Sequence, residues 1–438
     1  MRRIQGNAQA LINPRLLSSM SEEFVKIGGP VHRVRRVGGL HFVLIRMGKY
    51  IVQCVIEPGK STISSDQYEE GKFVEIEGIV RCEEKAPYGA EIAIESLKVV
   101  SVPSEQMPFS INKKKLELNI ETKLDFRPIS LRHPMQQAIF RIQTTIALLF
   151  REALRAAGFT EIFTPKIVFA GAEGGSNVFQ VKYFDRTVFL AQSPQFYKQM
   201  MVGVHGRVFE VGPVFRAEPH DTSRHLNEYI SMDLEMGMIK SFEDIMHMET
   251  YVLGFIFDHL KMLCQEELAL LDVIVPDVSA IPVIRLSEAI EIVSKFHKPS
   301  ERGDLDAESE KVLCREIEKE TGSELVFVTH YPTAKRPVYA MEDPEDSTLT
   351  SSFDLLFRGL EITTGGQRIH EYEMQVEKMK RFGYNPEDFE SYLQIHKYGM
   401  PPHGGLGLGL ERITMQLLKL SSAKETSLFP RTINRLTP

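Results

Sequence analysis

Between residues 24 and 103 the apolar residues arrive in five short runs: FVKIGGPVHRV, GGLHFVLIRMG, YIVQCVIEPG, KFVEIEGIVRCEE and AEIAIESLKVV. Each is alternating or β-branched, and Gly or Pro punctuates them, which marks half-buried strands. Five strands in about 80 residues predict a small closed barrel over 20–103, with a small β-sandwich as the alternative. Residues 104–130 then form a polar linker or hinge around Lys113, Lys114 and Lys115. From residue 134 the period changes to that of a helix. Ile139, Ile142, Ile146, Leu149, Ala153 and Leu154 fall near one face, and Gly158 supplies a C-cap. TEIFTPKIV follows as a strand interrupted by Pro165, which places it at an edge or an interface. Strand-like runs recur at 187–192, 206–217, 227–238, 351–364 and 404–410, with helical stretches at 242–270 and 370–393. Strand and helix do not alternate regularly. The expectation for 131–438 is therefore an α+β domain, a mainly antiparallel sheet flanked by helices, with a helical insertion at about 242–345.

Composition narrows this picture. The chain has 438 residues, 43% of them apolar and 25% charged, which suits a protein of two or three domains with sizeable cores. No apolar run is long enough for a membrane span, and the N-terminal stretch has no continuous apolar segment of the secretory kind. The four cysteines are scattered with no CxxC pair, so neither a zinc site nor a disulfide framework is indicated, and a reducing, cytoplasmic compartment is expected. A net charge of −7 argues against wholesale coating of nucleic acid but leaves room for a local basic groove. PGKST at 58–62 imitates a phosphate loop, but the first glycine of such a loop would fall at Cys54; the segment reads as a turn.

The chemistry concentrates in FRAEPHDTSRHLNEYISMDLEM, 215–236. PHDTS is turn chemistry, so two strands form a hairpin. On its return strand Tyr229, Ser231, Asp233 and Glu235 share one face. Arg216, Glu218, Arg224 and His225 stand beside it; a solvated strand face is the bland alternative. In QSPQFYKQ, Ser193 can cap a helix opened by Pro194, which puts Gln195 and Lys198 on one helical face. In GLEITTGGQRIH, Glu361 and Thr363 face away from Leu360 and Ile362, and a break at Gly365–Gly366 delivers Gln367 and Arg368. In GGLGLGLER, Gly405, Gly407 and Gly409 leave a bare strand floor for a flat ring, and a helix starts near Glu411. Arg412 in its first turn is disfavoured by the helix dipole, which hints at a ligand anion. Arginines suit polyphosphates, a strand carboxylate such as Glu361 suits Mg2+, and a Lys198–Arg368 pair suits a substrate carboxylate.

Together these segments resemble class II aminoacyl-tRNA synthetases, and within them the archaeal-type aspartyl-tRNA synthetases, over nearly the whole chain. FRAE…TSRHLNEY looks like motif 2, GLGLGLER like motif 3, and the Pro165 strand like motif 1, which in this class forms a homodimer interface. QSPQFYKQ, GLEITTGGQRIH and YGMPPHGG are similar to signatures of the aspartyl and asparaginyl subgroup, with Asp233 and RIHEYE on the aspartyl side. The resemblance implies an oligonucleotide-binding (OB) barrel for the anticodon. It also implies a catalytic domain that joins L-aspartate to tRNA through an aspartyl-adenylate, with ATP and Mg2+. By the same resemblance Arg216 holds the α-phosphate, and Arg224 and His225 reach the outer phosphates. Tyr229 and Arg412 sandwich the adenine, with Glu218 near its amino edge. Glu361, and with it Thr364, binds the metal. Lys198 and Arg368 bind the aspartate side chain, while Ser193, Gln195 and Asp233 surround its ammonium group. Glu173 sits on a loop that closes over the amino acid, and His403 lies close to the substrate carboxylates.

In the barrel the resemblance implies that Phe42 stacks on an anticodon base and that Gln53 and Glu91 hydrogen-bond the anticodon. His32 and Pro87 stand where members specific for tRNA-Asp tend to have Trp and Lys. They resemble the members that also aspartylate tRNA-Asn, whose product a tRNA-dependent amidotransferase then converts. Three rivals remain at this stage. They are an asparaginyl synthetase, a ligase that makes free asparagine, and a non-catalytic tRNA-binding paralogue.

Overall fold

The structure, a computed structural model, describes residues 13–57, 61–169, 177–300 and 303–437. The chain forms two compact units that divide between Gln137 and Ala138.

In the first unit five strands close into a barrel: β1 (Phe24–Val37), β2 (Leu40–Met47), β3 (Tyr50–Ile56), β4 (Phe73–Cys82) and β5 (Ala90–Ser101). Their order is β1-β2-β3-β5-β4, and β4 pairs back onto β1. Alternation decides what is inside: Val25, Ile27, Val43, Ile45, Val52, Cys54, Ile76 and Ile92 are all buried in one core. The barrel expected from the five runs is present, and the sandwich alternative is excluded. The register of β1 shifts between Val31 and Arg33, which makes His32 the extra residue of a bulge.

The second unit is built on an eight-stranded sheet. Its members are β6 (Thr160–Glu161), β10 (Arg207–Phe215), β11 (Glu228–Gly237), β12 (Val283–Arg285), β13 (Leu325–Thr329), β14 (Ser352–Phe357), β15 (Leu360–Arg368) and β16 (His403–Gly409). The order is β12-β13-β14-β15-β16-β11-β10-β6, parallel only at its two edge pairs. Three short strands, β7 (Ile167–Val168), β8 (Gln180–Tyr183) and β9 (Arg186–Leu190), form a separate sheet. Helix α1 (Pro134–Ala156) buries the aliphatic face predicted for it, and each fully buried aliphatic side chain contributes about 1.5–3 kcal/mol. It ends as predicted, with the Phe159 N–H on the Leu154 carbonyl at 2.9 Å. Helices α2 (Gln195–His205), α3 (Glu243–Leu263), α4 (Ala307–Thr321), α5 (Tyr372–Arg381), α6 (Glu390–Tyr398) and α7 (Leu410–Leu417) complete what the site needs. No helix among the described residues is long and apolar enough to cross a membrane. The four cysteines are free.

Several elements differ from expectation. TEIFTPKIV is not one strand: β6 is an edge strand of the large sheet, as a proline-broken run should be, β7 belongs to the small one, and Pro165 lies between them. The run 351–364 is a hairpin, β14–β15, turned by Arg358 and Gly359, both at positive φ (48° and 80°). The strand does not break at Gly365–Gly366; it runs on to Arg368. Glycine is needed there for space, since a Cβ on Gly365 would lie 2.4 Å from the Phe353 ring. The helical stretch 370–393 is two helices, α5 and α6, separated around Gly383 and Pro386. Besides its helices, the 242–345 segment supplies β12 and β13 to the sheet.

Candidate active site

One cavity of about 340 Å³ lies on the open face of the large sheet. The hairpin β10–β11 supplies Arg216, Glu218, Arg224, His225, Tyr229, Ser231 and Asp233, and the α2 region supplies Ser193, Gln195 and Lys198. From β15 come Glu361, Thr364 and Arg368, and from the β16–α7 junction Gly407, Gly409 and Arg412. Thirteen of the residues expected at the site thus meet at one place, though they are drawn from 193–412 of the sequence.

At one end the charges are buried and paired. Lys198 is 1% exposed; its Nζ lies 2.9 Å from Asp233 and 3.4 Å from Glu235, and donates to the Leu406 carbonyl at 2.8 Å. Arg368 donates through Nε to Glu235 at 2.9 Å and through Nη2 to the Gly405 carbonyl at 2.9 Å. Burial alone would raise the Glu235 carboxyl, but Arg368 and Lys198 outweigh it and hold it below the usual range. Two cations are therefore kept in place by two carboxylates, in a geometry suited to a third carboxylate from outside. Removing one member of such a set costs about 3–5 kcal/mol. The register Asp233↔Gly407 and Glu235↔Gly405 explains the glycines. A Cβ on Gly405 would lie 2.1 Å from a Glu235 oxygen, so part of the floor expected to be bare is covered by Glu235, and the open part is at Gly407 and Gly409.

His403 does not reach the cavity. Fully buried behind it, the ring donates from Nδ1 to the Pro401 carbonyl (3.0 Å). Its Nε2 must then accept from Gln199 Nε2 at 3.1 Å, and Gln199 in turn accepts from Gln195 Nε2 at 3.1 Å. Burial pushes the imidazole down to about 4, so the ring is neutral and can accept. Ser193 does not cap α2 through its own side chain at the expected position. The helix begins at Gln195 with Pro194 as its cap residue, and Ser193 Oγ accepts the Gln195 N–H at 3.4 Å.

At the other end the charges face the opening. Arg216 directly follows β10; Asn227 ties the hairpin mouth by donating to the Arg216 and Glu218 carbonyls at 2.8 and 3.1 Å. His225 lies 3.5 Å from Glu218, and the Arg216 guanidinium stands 5.8 Å from the centre of the Tyr229 ring. Arg412, in the first turn of α7, donates to the Glu361 carbonyl (2.9 Å) and carboxylate (3.2 Å), which offsets its unfavourable place on the helix dipole. Burial works against the Glu361 charge, but Arg412, Arg336, Arg216 and Arg224 prevail and the carboxyl titrates below its ordinary value. A bulge opposite Leu355–Leu356 changes the face expected for β15. Thr363 turns into the core, and Thr364 joins Glu361 at the cavity with its hydroxyl 3.2 Å from the carboxylate.

The sequence reading missed several residues. Glu235 and Gln199 act behind Arg368 and Gln195; Glu235 was visible on the strand face, whereas Gln199 needed the helix register. Asp354, opposite Thr364, is pushed up to about 6 by burial despite Arg336 at 2.8 Å. Arg336 stacks over Tyr331 at 3.9 Å from the ring centre, on a loop that carries no periodic signal. Glu310, on α4, holds Arg224. Glu173 lies outside the described residues. In the barrel, Gln53 and Glu91 do meet, Nε2 to carboxylate at 2.8 Å across β3 and β5. Phe42 is partly exposed on β2, and Pro87 opens the short turn before β5. His32 titrates down to about 4 through burial and the charges of Arg46, His133 and Arg33.

Comparison with known proteins places this geometry. A family model described as class II tRNA synthetases (D, K and N) matches residues 119–433, and one described as an OB-fold nucleic acid binding domain matches residues 25–100. An aspartate–tRNA(Asp/Asn) ligase of Deinococcus radiodurans is 44% identical over 97% of this chain and 98% of its own length. An aspartate–tRNA(Asp) ligase of Pyrococcus abyssi is 39% identical over 96% and 98%. The crystal structure of the Pyrococcus horikoshii asparaginyl-tRNA synthetase with asparaginyl-adenylate superposes with a TM-score of 0.89, at 32% identity over 96% of this chain and 98% of that one.

Proposed function

Because the chain belongs to the class II tRNA synthetases of the D, K and N group, we propose that it is an aspartate–tRNA ligase, and that it charges tRNA-Asn as well as tRNA-Asp. The observation that carries the substrate is the cavity with two ends. Lys198 and Arg368 wait at one, and Arg216, Arg412 and Glu361 stand at the other.

L-Aspartate binds with its side-chain carboxylate on Lys198 and Arg368. Its ammonium group lies among Ser193, Gln195 and Asp233. ATP lies over Gly407 and Gly409 between Tyr229 and Arg412, with the α-phosphate on Arg216 and the outer phosphates toward Arg224 and His225. The α-carboxylate attacks the α-phosphorus in line, the bond to pyrophosphate breaks, and aspartyl-adenylate forms. The 3′-terminal hydroxyl of tRNA then displaces AMP. The protein's part is to align reactants and to neutralise developing charge with groups fixed beforehand. Among the described residues no cluster of three or more His, Cys, Asp or Glu is disposed to hold a metal. Mg2+ binds through few carboxylates and many phosphate and water oxygens, and Glu361, with the Thr364 hydroxyl 3.2 Å from it, would hold the ion. When bound, it would spread the charge of the phosphates.

Exposed Phe163 and Phe169, flanking Pro165, support a homodimer through the motif 1 region. The four free cysteines support a reducing, cytoplasmic compartment, and a tRNA-dependent amidotransferase would act on aspartyl-tRNA-Asn. The non-discriminating reading rests on His32, Pro87 and the Asp/Asn ligase relative at 44% identity. Its test is aspartylation of tRNA-Asp and tRNA-Asn transcripts side by side. Comparable charging of both is expected; charging of tRNA-Asp alone would leave the ligase and remove the second substrate. Asparagine-dependent rather than aspartate-dependent pyrophosphate exchange would overturn both.

A further inference from the structure

Glu310 belongs to no motif, yet it sits between two groups of the nucleotide end. It stands in the first turn of α4, which Asp306 caps by accepting the Ser309 N–H at 2.8 Å. The helix is seated tightly on the β14–β15 turn: a Cβ on Gly359 would lie 2.8 Å from the Lys311 Cα. The Glu310 carboxylate is thus delivered to a fixed place, 6% exposed. One of its oxygens accepts the Glu361 backbone N–H at 3.3 Å and the same carboxylate holds Arg224 Nη2.

The two partners differ in how firmly they are held. Glu310 is on a helix. Arg224 is on the loop between β10 and β11, outside regular structure. A long side chain on such a loop loses about 1–2 kcal/mol of conformational entropy when it is ordered. A guanidinium has two edges, so one can rest on a carboxylate while the other addresses an anion. We propose that Glu310 is a positioning residue for ATP. It holds one edge of Arg224 so that the other faces the outer phosphates, and the segment between the hairpin and β14 thereby takes part in nucleotide binding. This deepens the reading of the cavity as an ATP site and rests on it. Repulsion between Glu310 and the phosphates opposes this effect; Arg224 and the Glu361 N–H, both on one carboxylate oxygen, offset it.

The test is aspartate-dependent ATP–pyrophosphate exchange by the full-length protein. Exchange by the unsubstituted protein tests the site reading by itself. With that in hand, Glu310→Gln is expected to raise the ATP KM about tenfold, the worth of one hydrogen bond to a charged group. The kcat at saturating ATP should stay within about threefold, and the aspartate KM should not move. Glu310→Asp, which keeps the charge and shortens the reach, should shift the ATP KM in the same direction by less. In an Arg224→Ala background Glu310→Gln should add nothing further, which a purely structural role for α4 would not produce. An unchanged or lowered ATP KM in both Glu310 variants, or full additivity with Arg224→Ala, overturns the proposal.

Discussion

His403 shows how much a buried side chain outside the cavity lining can do. Its ring accepts from Gln199 only because it is neutral, and Gln199 in turn fixes the amide of Gln195 at the cavity wall. A second proton would turn the acceptor into a donor facing a donor. The unfolded imidazole titrates near 6.5 and the folded one near 4, so on acidification the unfolded chain takes the proton first. The stability this ring contributes is complete above about 6.5 and is lost as pH falls toward 4, by at most about 1.4 kcal/mol per pH unit. His403→Leu keeps the volume and discards both the proton and the acceptor. At pH 7 it should be about 1–3 kcal/mol less stable, the cost of leaving the Gln199 N–H unsatisfied. Its aspartate KM should rise about tenfold, with the ATP KM changing less. In thermal melts from pH 7.5 to 4.5 the gap between the two proteins should narrow. A gap that stays constant across that range would mean that the ring is not neutral for the reason given.

At the scale of elements, the hairpin β14–β15 explains both what could be read from sequence and what could not. The glycine strand, the motif 2 hairpin and the aliphatic stripe of α1 were legible because each follows one undisturbed period. The run 351–364 was not, because its two-residue turn uses an arginine at positive φ and no Asn-Gly signal, and its bulge reverses which threonine reaches the cavity. Glu310, Gln199 and Arg336 were invisible for another reason: Glu310 and Gln199 depend on partners over 80 residues away, and Arg336 on a loop with no periodic signal. Arg358 itself became the clamp of the neighbouring helix. It grips Glu324 with two hydrogen bonds, 2.8 and 3.0 Å, and donates to the Gln416 and Leu417 carbonyls at the C-terminal end of α7. Since α7 carries Arg412 in its first turn, a substitution at one end should be felt at the other. Arg358→Ala should destabilise the protein by about 1–3 kcal/mol. Amide exchange should quicken over residues 414–418 first. If exchange there is unaltered while the protein melts lower, the clamp is not what holds α7.

For the whole molecule the division of labour is between two units, and the chemistry of each is separable by substrate. Every residue lining the cavity proposed for aspartate and ATP lies in the unit after Gln137. On the proposed function, changes in the barrel act through tRNA. His32 is placed by a bulge beside Arg46, His133 and Arg33, and Pro87 opens the turn before β5; neither belongs to the core cluster of the barrel. Replacing them together by the residues of tRNA-Asp-specific members, His32→Trp with Pro87→Lys, should leave aspartate-dependent pyrophosphate exchange within about twofold. It should also leave tRNA-Asp charging near its original level. Charging of tRNA-Asn should fall by about tenfold or more, since a lost or clashing base contact costs about 1–3 kcal/mol. Running both transcripts at two salt concentrations separates this from general weakening: loss of phosphate contacts would depress both tRNAs and steepen with salt, whereas lost base reading affects one. Equal loss for both tRNAs, or none for tRNA-Asn, would place the discrimination elsewhere on the barrel, with the Gln53–Glu91 pair the next surface to change.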